Sequence, residues 1–355
     1  MAKIYKVGIL GSTGYTGATL TGLLAKHPNI EIVFLASQQY AGQKFSSIYS
    51  EYRGLVDIEC SDIDDEAILN LNKNEIDLVF FATPNGIAHK HVPGLIAKSI
   101  HCIDLSADYR FKDLDLYTKW YGFKRTDQAI NAQAVYGLVE FNRAQIKAAA
   151  KSAAVIIGNP GCYTTSSILA LAPILEAMAD SIDTRSIIID GKSGISGAGR
   201  KAATNLLFSE INESCSPYKL ANQHRHGPEL ECFFSEISGK KIELSFSPHL
   251  VPMSVGLLTT CYINFTKDTS EAQLRKLYET RYSAEQFIKV LEPELYPQTK
   301  WAVGTNKAFI QVNYDPRLKR ATITCAIDNL MKGAAGQALQ NMNLIFGLEE
   351  GLGLS

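Results

Sequence analysis

The first 36 residues constrain the fold more than any other part of the chain. Residues 5–10 (YKVGIL) and 30–36 (IEIVFLA) have the apolar, β-branched pattern of buried strands. Between them lie the glycine-rich turn Gly11–Gly17 and a helical pattern that stops near His27 and Pro28. A strand, a helix and a second strand of these lengths form a βαβ unit with parallel strands. The sequence therefore predicts an α/β protein with an N-terminal doubly wound, Rossmann-type domain.

The glycine turn indicates a nucleotide site, because glycines let the backbone approach a pyrophosphate at the N-terminus of a helix. The glycine spacing is three and three, whereas the common dinucleotide fingerprint has two and three. A tight turn without a ligand is the alternative, and the strand–turn–helix setting argues against it. The expected cofactor contacts in this turn are Gly11, Ser12, Thr13, Gly14, Tyr15, Thr16 and Gly17.

The end of the second strand indicates which dinucleotide binds. An acidic residue at this point would bind the ribose 2′-hydroxyl of NAD. The chain has Ser37-Gln38-Gln39 instead, with no carboxylate to repel a 2′-phosphate, and Lys44 follows. We therefore predict NADP, with Ser37 and Lys44 among its contacts, although no arginine stands where a phosphate clamp would be strongest.

Two more strand patterns continue the parallel sheet. Residues 78–81 (LVFF) lead into Thr83 and Pro84, and residues 101–105 lead into a turn that ends at Arg110. Functional loops gather at the carboxyl ends of parallel strands. We therefore expect Thr83 and Pro84 to contact the cofactor and Arg110 to contact the substrate. A surface ion pair between Arg110 and Asp108 is an equally good interpretation of those two residues.

Cys162 is the candidate nucleophile. The apolar strand 153–157 is followed by the sharp turn 158–161 (GNPG) and by a helical pattern from Tyr163 to about residue 180. Cys162 should therefore lie at a helix N-terminus, where unpaired N–H groups and the helix dipole lower the pKa of a thiol. The same N–H groups could bind the oxyanion that forms when sulfur attacks a carbonyl. Core filling is the ordinary role of a free cysteine, and this setting argues against it.

Two polar segments follow. Residues 191–200 (GKSGISGAGR) hold four glycines, two serines and two cations, which suits a phosphate better than a disordered linker. Residues 224–229 (HRHGPE) place two imidazoles before Pro228, which fits the first turn of a helix. Two histidines alone make a poor zinc site, and imidazole titrates near neutral pH. We therefore predict His224, in the approach to the helix, as the acid/base, and His226 as a substrate or phosphate contact.

The chain of 355 residues suits two domains. Strand patterns in the second half follow one another with little helix between them, which predicts a largely antiparallel sheet. We expect an NADP-binding domain over residues 1–157, completed by the helical segment 329–355. Residues 158–328 should form an α+β catalytic and oligomerisation domain.

Charge and cysteine content exclude several classes of protein. A formal charge of −1 gives no electrostatic case for a nucleic-acid or membrane-surface partner. Seven scattered cysteines without a CxxC pair favour a reducing compartment and argue against a disulfide framework or a zinc site, so no metal is expected. The chain shows neither a signal region nor a membrane-spanning apolar run, which predicts a cytoplasmic protein.

Together these motifs resemble the N-acetyl-γ-glutamyl-phosphate reductases, relatives of aspartate-semialdehyde dehydrogenase. The resemblance covers nearly the whole chain; GNPGCY and HRHGPE are its specific motifs, and the glycine motif is shared with many families. In order, the matching segments are GSTGYTG, DLSADYRF, YGLVEFNR, NPGCYTT, GKSGISGAGR, HRHGPEL, PHLVPM, GTNKAFI and NLMKGAAGQALQNMN. The family implies that Cys162 is the nucleophile and that Asn306 lies beside the nicotinamide. Many members have an arginine at the position where this chain has Val255. An anion contact made by that arginine must be made by another residue in this chain.

The resemblance implies NADPH-dependent reduction of N-acetyl-γ-glutamyl phosphate to N-acetylglutamate 5-semialdehyde, through a cysteine thioester, in arginine biosynthesis. It also implies a homo-oligomer, a dimer or tetramer, assembled through the second domain. Expected substrate contacts are Arg110, Asn159, Ser193, Arg200, Arg225, His226 and Glu229, and Ser193, Gly194 and Asn306 join the cofactor contacts. Two alternatives stay open. One is a reductase of carrier-protein-bound aminoadipyl phosphate in lysine biosynthesis, and the other is a non-catalytic NADP-binding redox sensor with Cys162 as a switch thiol.

Overall fold

The computed structural model describes residues 3–64, 66 and 70–354. The chain forms two compact units: Met1–Gly161 with Ala334–Ser355, and Cys162–Gly333. The boundaries expected from the sequence, 157/158 and 328/329, lie a few residues before these. The turn after residue 157 stays with the first unit because the Asn159 N–H donates to the carbonyl of Asp104, 2.8 Å away.

The first unit is built on a parallel seven-stranded sheet with the order β3-β2-β1-β4-β5-β7-β6. All of its strand pairs are parallel. The strands are β1 (Tyr5–Leu10), β2 (Ile30–Ala36), β3 (Cys60–Ser61), β4 (Leu78–Phe81), β5 (His101–Asp104), β6 (Val135–Tyr136) and β7 (Ile156–Gly158). The strand order reverses between β1 and β4, and ligands of such sheets bind beyond the carboxyl ends of the strands at the reversal. The predicted doubly wound, Rossmann-type fold is confirmed.

The second unit contains another seven-stranded sheet, with the order β12-β13-β14-β11-β8-β10-β9. The strands are β8 (Ile187–Ser193), β9 (Ser216–Pro217), β10 (Leu244–Leu250), β11 (Leu257–Asn264), β12 (Ile288–Val290), β13 (Ala308–Asp315) and β14 (Arg320–Ile327). The pairs β8–β10 and β12–β13 are parallel, and the others are antiparallel. The sheet is therefore mixed and largely antiparallel, as predicted.

The helices of eight or more residues are α1 (Tyr15–Leu24), α2 (Ala88–Ala97), α3 (Leu114–Tyr121), α4 (Val139–Ala149), α5 (Cys162–Met178), α6 (His226–Ser238), α7 (Glu271–Arg281) and α8 (Gly336–Phe346). Four-residue helices lie at Phe45–Ile48, Gln128–Asn131, Phe208–Ile211 and Thr299–Ala302. Short 3₁₀ turns lie at Ser50–Tyr52, Ala179–Ser181, Ile195–Ala198 and Thr204–Leu206, and a π-helix at Met331–Ala335. All of these bounds refer to the described residues.

Helix α8 belongs to the first unit and is buried along almost its whole length. Its polar residues bond to this unit: the side-chain amides of Gln337 and Asn341 both donate to the carbonyl of Gly137, at 2.9 and 2.8 Å. At its end, the ring of Phe346 stacks on that of Tyr5 with centroids 4.0 Å apart. The first unit is therefore completed by a segment that follows the second unit in the chain.

Helix α5 is the core helix of the second unit, and its proline is compensated by neighbouring tyrosines. Pro173 has no N–H, so the carbonyl of Leu169 lacks its helical donor. The hydroxyl of Tyr282 donates to that carbonyl at 2.6 Å, and the hydroxyl of Tyr278 donates to the next one, Ala170.

Contrary to the expectation from the sequence, the segment Cys162–Ser181 has the length and apolar composition to cross a membrane. Most of it is buried inside this unit, as in the core helix of a soluble protein.

Candidate active site

The glycine turn after β1 contains two glycines that the protein itself requires. Gly11 has a φ of +80°, and a Cβ on it would lie 2.7 Å from the carbonyl carbon of Ala82. A Cβ on Gly17 would lie 2.8 Å from the Cα of Ser12. A larger residue at either position would collide with backbone, so these two glycines are explained by the tight turn from β1 into α1.

Gly14 has a different explanation. It is the N-cap of α1, with φ −72° and ψ 163°, a conformation open to any residue. Among the described residues, the atom nearest to a Cβ on it would be the carbonyl oxygen of Gly11, 3.7 Å away. Neither backbone conformation nor packing requires a glycine here. Open space at a helix N-terminus suits the close approach of a pyrophosphate.

Thr83 provides a second sign of a ligand at the same edge of the sheet. It follows β4, the neighbour of β1, and its hydroxyl is buried without a hydrogen-bond partner among the described residues. Buried hydroxyls in folded proteins are normally paired. Pro84 is exposed beside it. The open N-terminus of α1 and the unpaired Thr83 hydroxyl thus fit a bound dinucleotide.

Three hydroxyl groups predicted to contact the cofactor are used inside the protein. Ser12 Oγ donates to the carbonyl of Ala36 at 3.1 Å, and the hydroxyls of Thr13 and Ser37 bond to each other at 2.6 Å. Ser37 is 2% exposed. The Ser37 hydroxyl thus joins the end of β2 to the glycine turn, and the contact of Ser37 with the cofactor stays a prediction. Lys44 is exposed further along the chain.

Asp108 and Arg110 do not form the surface ion pair that was an open interpretation. Asp108 is fully buried and accepts from the N–H groups of Gly86 and His89 and from the hydroxyl of Tyr117. It therefore holds the turn after β4. The half-buried Arg110 donates from Nε to the carbonyl of Asn159 at 2.7 Å, and from Nη2 to a second main-chain carbonyl. Arg110 thus supports the turn that precedes Cys162.

Asn159 has no exposed surface. Its side-chain amide donates to the carbonyl of Ala334 at 3.2 Å, and its oxygen accepts from Asn341 at 3.3 Å. These bonds hold the side chain inside the first unit, and its contact with the substrate stays a prediction. Asn159 joins the end of β7 to the segment that leads into α8.

Cys162 is the first residue of α5 and is partly exposed, so its predicted place at a helix N-terminus is confirmed. The next residue, Tyr163, is buried at the centre of an aromatic cluster. Its ring centroid lies 5.1 Å from that of Phe246 and 6.1 Å from those of His224 and His226. A Cβ on Gly191 would lie 2.9 Å from a ring carbon of Tyr163, so this glycine makes room for the ring. The fold thus brings both histidines to the residue that follows Cys162.

The surroundings of His224 do not suit a general base. Its Nδ1 accepts a hydrogen bond from the backbone N–H of His226 at 3.2 Å, which leaves the ring proton on Nε2. Burial, followed by the positive charges of Lys219 and Arg225, lowers the pKa of His224 to about 3. The ring is therefore a neutral hydrogen-bond donor at physiological pH. This argues against the predicted acid/base role of His224. His226, the first residue of α6, is the more exposed of the two histidines.

Tyr218 belongs to this cluster, and sequence reasoning missed it. Its hydroxyl bonds to that of Tyr163, and its ring centroid lies 5.5 Å from that of His224. Burial, followed by the charge of Cys162 in its ionised form, raises the pKa of Tyr218 to about 12. No spacing marks this tyrosine, since it follows the two-residue strand β9 within an irregular segment.

The predicted phosphate loop begins later than expected. Lys192 lies within β8, and its ammonium pairs with Asp190 at 2.6 Å, so it is part of the sheet. Ser193 is buried, with its hydroxyl donating to the carbonyl of Gly194 at 3.0 Å, and a 3₁₀ turn follows. Of the other predicted contacts, Arg200 and Val255 are half-buried, Arg225 is exposed, and Glu229 and Asn306 are buried.

Comparison with known proteins agrees with this arrangement. The family described as "Semialdehyde dehydrogenase, NAD binding domain" matches residues 6–149, and "Semialdehyde dehydrogenase, dimerisation domain" matches residues 162–329. An N-acetyl-gamma-glutamyl-phosphate reductase of Gloeobacter violaceus is 44% identical over 100% of this chain and 98% of its own length. That of Vesicomyosocius okutanii is 46% identical over 98% of this chain and 97% of its own. The chain belongs to the N-acetyl-gamma-glutamyl-phosphate reductase family.

Solved structures agree on the fold. An aspartate semialdehyde dehydrogenase II of Vibrio cholerae superposes with a TM-score of 0.73 over 98% of this chain and 99% of its own, at 18% identity. The enzyme of Candida albicans, solved with NADP, has a TM-score of 0.67 at the same identity, over 97% and 99%. The resemblance inferred from the motifs is confirmed. The first unit is an NAD(P)-binding domain, and the family of the second supports a homo-oligomer.

Proposed function

We propose that this protein reduces N-acetyl-γ-glutamyl phosphate to N-acetylglutamate 5-semialdehyde with NADPH, releasing phosphate, as a step of arginine biosynthesis. The observation that carries the proposal is a partly exposed cysteine at the first position of α5, followed by a tyrosine that packs against two histidines, in a chain of this family. A thiolate in this setting is a nucleophile for an acyl carbon.

Acyl transfer to Cys162 is the first step. The sulfur of Cys162 forms a bond to the acyl carbon, and the bond from that carbon to the phosphate oxygen breaks, with the electron pair leaving on phosphate. N–H groups of the first turn of α5 can donate to the carbonyl oxygen as its charge develops. His226 accepts the thiol proton, and the neutral His224 donates from Nε2 to a polar group of the substrate.

Reduction of the thioester follows. When bound, NADPH supplies the hydride for the thioester carbon. The carbon–sulfur bond then breaks, the aldehyde leaves, and His226 returns its proton to the sulfur of Cys162. In this scheme Tyr218 and Tyr163 fix the rings of the two histidines through their packing.

We further propose NADP as the dinucleotide, in preference to NAD. The chain after β2 carries no carboxylate near Ser37, and Lys44 offers a positive charge for a 2′-phosphate. The open space at Gly14, and the Thr83 hydroxyl that has no partner among the described residues, support binding of the pyrophosphate of the dinucleotide at the N-terminus of α1. Asn306, buried in the second unit, remains the expected contact of the nicotinamide.

The reverse reaction is the simplest test. Purified protein with N-acetylglutamate 5-semialdehyde, phosphate and NADP should form NADPH, and should do so faster than with NAD. Aspartate semialdehyde and carrier-bound aminoadipate semialdehyde serve as competing substrates, and Cys162→Ser as the inactive control that still binds NADPH. A faster reaction with either competing substrate, or full activity in Cys162→Ser, would refute the proposal.

A homo-oligomer, either a dimer or a tetramer, is proposed to form through the second unit. In its sheet, Ile188 is 40% exposed, and Tyr262, the residue that pairs with it on the neighbouring strand β11, is partly exposed. Apolar residues on an open sheet face favour association. Sedimentation of the wild type and of Ile188→Lys tests this, because the charge should lower the oligomer mass. None of the seven cysteines, all of which lie among the described residues, forms a disulfide, and this supports a proposed cytoplasmic location.

A further inference from the structure

Gly333 lies directly against the proposed nucleophile. A Cβ placed on Gly333 would be 2.6 Å from the Cβ of Cys162 and 3.1 Å from its Cα. The first distance is shorter than van der Waals contact allows, so any other residue at this position would have to displace Cys162. Gly333 does not have a positive φ, so its backbone conformation does not require glycine. Contact with Cys162 is what excludes a side chain here.

The segment that carries Gly333 is firmly held by Asp328. One carboxylate oxygen of Asp328 accepts from the N–H groups of Leu330 and Met331 at 2.7 and 3.0 Å, and the other accepts from Gly304 at 2.8 Å. The N–H of Gly333 donates to the carbonyl of Asp328 at 2.9 Å. Asp328 is 3% exposed, which keeps water from competing for these bonds. The backbone at Gly333 therefore cannot easily move away from Cys162 to make room for a side chain.

The local helix type supports a functional reason for this arrangement. Residues Met331–Ala335 form a π-helix. Such turns are rare, and they lie frequently at functional sites. Here the π-turn brings a backbone with no side chain to Cys162.

We propose that Gly333 is a positioning residue for the nucleophile and that Asp328 anchors it. The bare backbone of Gly333 limits where the side chain of Cys162 can lie and so fixes the direction of its sulfur. The inference rests on the proposed role of Cys162 as nucleophile. Attack on an acyl carbon depends on the approach of the sulfur, and a misplacement of about 1 Å can lower a rate by roughly a hundredfold.

The variant Gly333→Ala tests this. We expect kcat of the reverse reaction to fall by roughly ten- to a hundredfold, with the KM for NADP within about twofold of the wild type. Alkylation of Cys162 by iodoacetamide, followed by peptide mass spectrometry, should slow and change its pH profile. The exposed Cys215 and Cys232 are internal controls whose alkylation should not change. Gly94→Ala is the matched variant, because a Cβ there meets no atom of the described residues within 4 Å.

Alkylation distinguishes failure of this inference from failure of the proposed function, since it needs neither substrate nor cofactor. Unchanged alkylation of Cys162 in Gly333→Ala would overturn the positioning role, whatever happens to kcat. A wild-type kcat in that variant would overturn it as well.

A double-mutant cycle covers the case in which Gly333→Ala disturbs folding. Cys162→Gly removes the Cβ that the new methyl group would meet, so the fall in Tm caused by Gly333→Ala should be smaller in that background. If Gly333→Ala does not fold alone, the double variant should recover a cooperative thermal transition. An equal loss of Tm in both backgrounds, or no recovery, would show that Cys162 is not the residue displaced and would overturn the proposal.

Discussion

Gly14→Ala should separate the stability of the protein from its affinity for the cofactor. The backbone at Gly14 is open to alanine, and the new methyl group would lie 3.7 Å from the nearest atom of the described residues. Removing a glycine from such a position typically stabilises a protein by about 0.4–1 kcal/mol through the unfolded chain. Alanine is a poorer N-cap than glycine, which opposes this gain. We therefore expect the free energy of unfolding to stay within about 1 kcal/mol of the wild type.

The effect on NADPH should be much larger. The methyl group would occupy the space in front of the α1 N-terminus, where the N–H groups of the turn can donate to a pyrophosphate. A hydrogen bond to a charged group contributes about 1.5–3 kcal/mol. Loss of one such bond corresponds to a Kd that is roughly ten- to a hundredfold weaker.

Calorimetric titration with NADPH and thermal unfolding without it would measure the two quantities. Gly94→Ala, in the open part of α2, should keep the wild-type Kd. Gly17→Ala should lower Tm strongly, because its methyl group would collide with the backbone of Ser12. If Gly14→Ala binds NADPH as tightly as the wild type, the space beside Gly14 is not the pyrophosphate site.

Three further predictions concern the second unit. His226→Asn should lower kcat by about 10²- to 10⁴-fold and remove a limb of the pH–rate profile, whereas His224→Asn should act mainly on KM; the reverse pattern in steady-state kinetics would restore the acid/base role to His224. The pKa of His224 is lowered from 6.5 to about 3, so between these pH values the unfolded chain binds a proton at this residue and the folded protein does not. The protein should therefore lose stability as pH falls from 6.5 towards 3, and His224→Gln should lose less in thermal unfolding. Parallel curves of Tm against pH for the two proteins would contradict the lowered pKa. Tyr218→Phe removes the hydroxyl bonded to Tyr163 and should cost roughly 1 kcal/mol in denaturant unfolding while lowering kcat; unchanged kcat would show that the cluster does not support catalysis.

Local sequence patterns predicted the elements of the fold and the place of Cys162 at a helix N-terminus. Apolar segments that alternate with glycine turns predicted the parallel strands, and a strand, a sharp turn and a helical run predicted Cys162 at the start of α5. These features could be predicted because each depends on residues that are neighbours in the chain. The start of the predicted phosphate loop was less accurate, since Lys192 and Ser193 lie in β8 and Lys192 pairs with Asp190 on the sheet.

The detailed roles of polar residues could not be read in this way, because their partners are distant in sequence. Asp108 binds the N–H of Gly86, 22 positions away, and Asn159 bonds to Asn341 across 182 positions. The tautomer of His224 depends on one backbone N–H and on burial, and neither follows from residue spacing. Sequence reasoning could name these residues as polar and well placed, but only tertiary packing decides whether each of them faces a ligand or another part of the protein.

Helix α8 has a consequence for the order of events during synthesis. The first unit needs this helix, since the carbonyl of Gly137 and the ring of Tyr5 find their partners on it. The ribosome makes all of Cys162–Gly333 before it makes Ala334–Ser355. The second unit can therefore fold while the first still lacks its last helix, and the nascent chain can complete its nucleotide-binding domain only after residues 334–355 have left the exit tunnel.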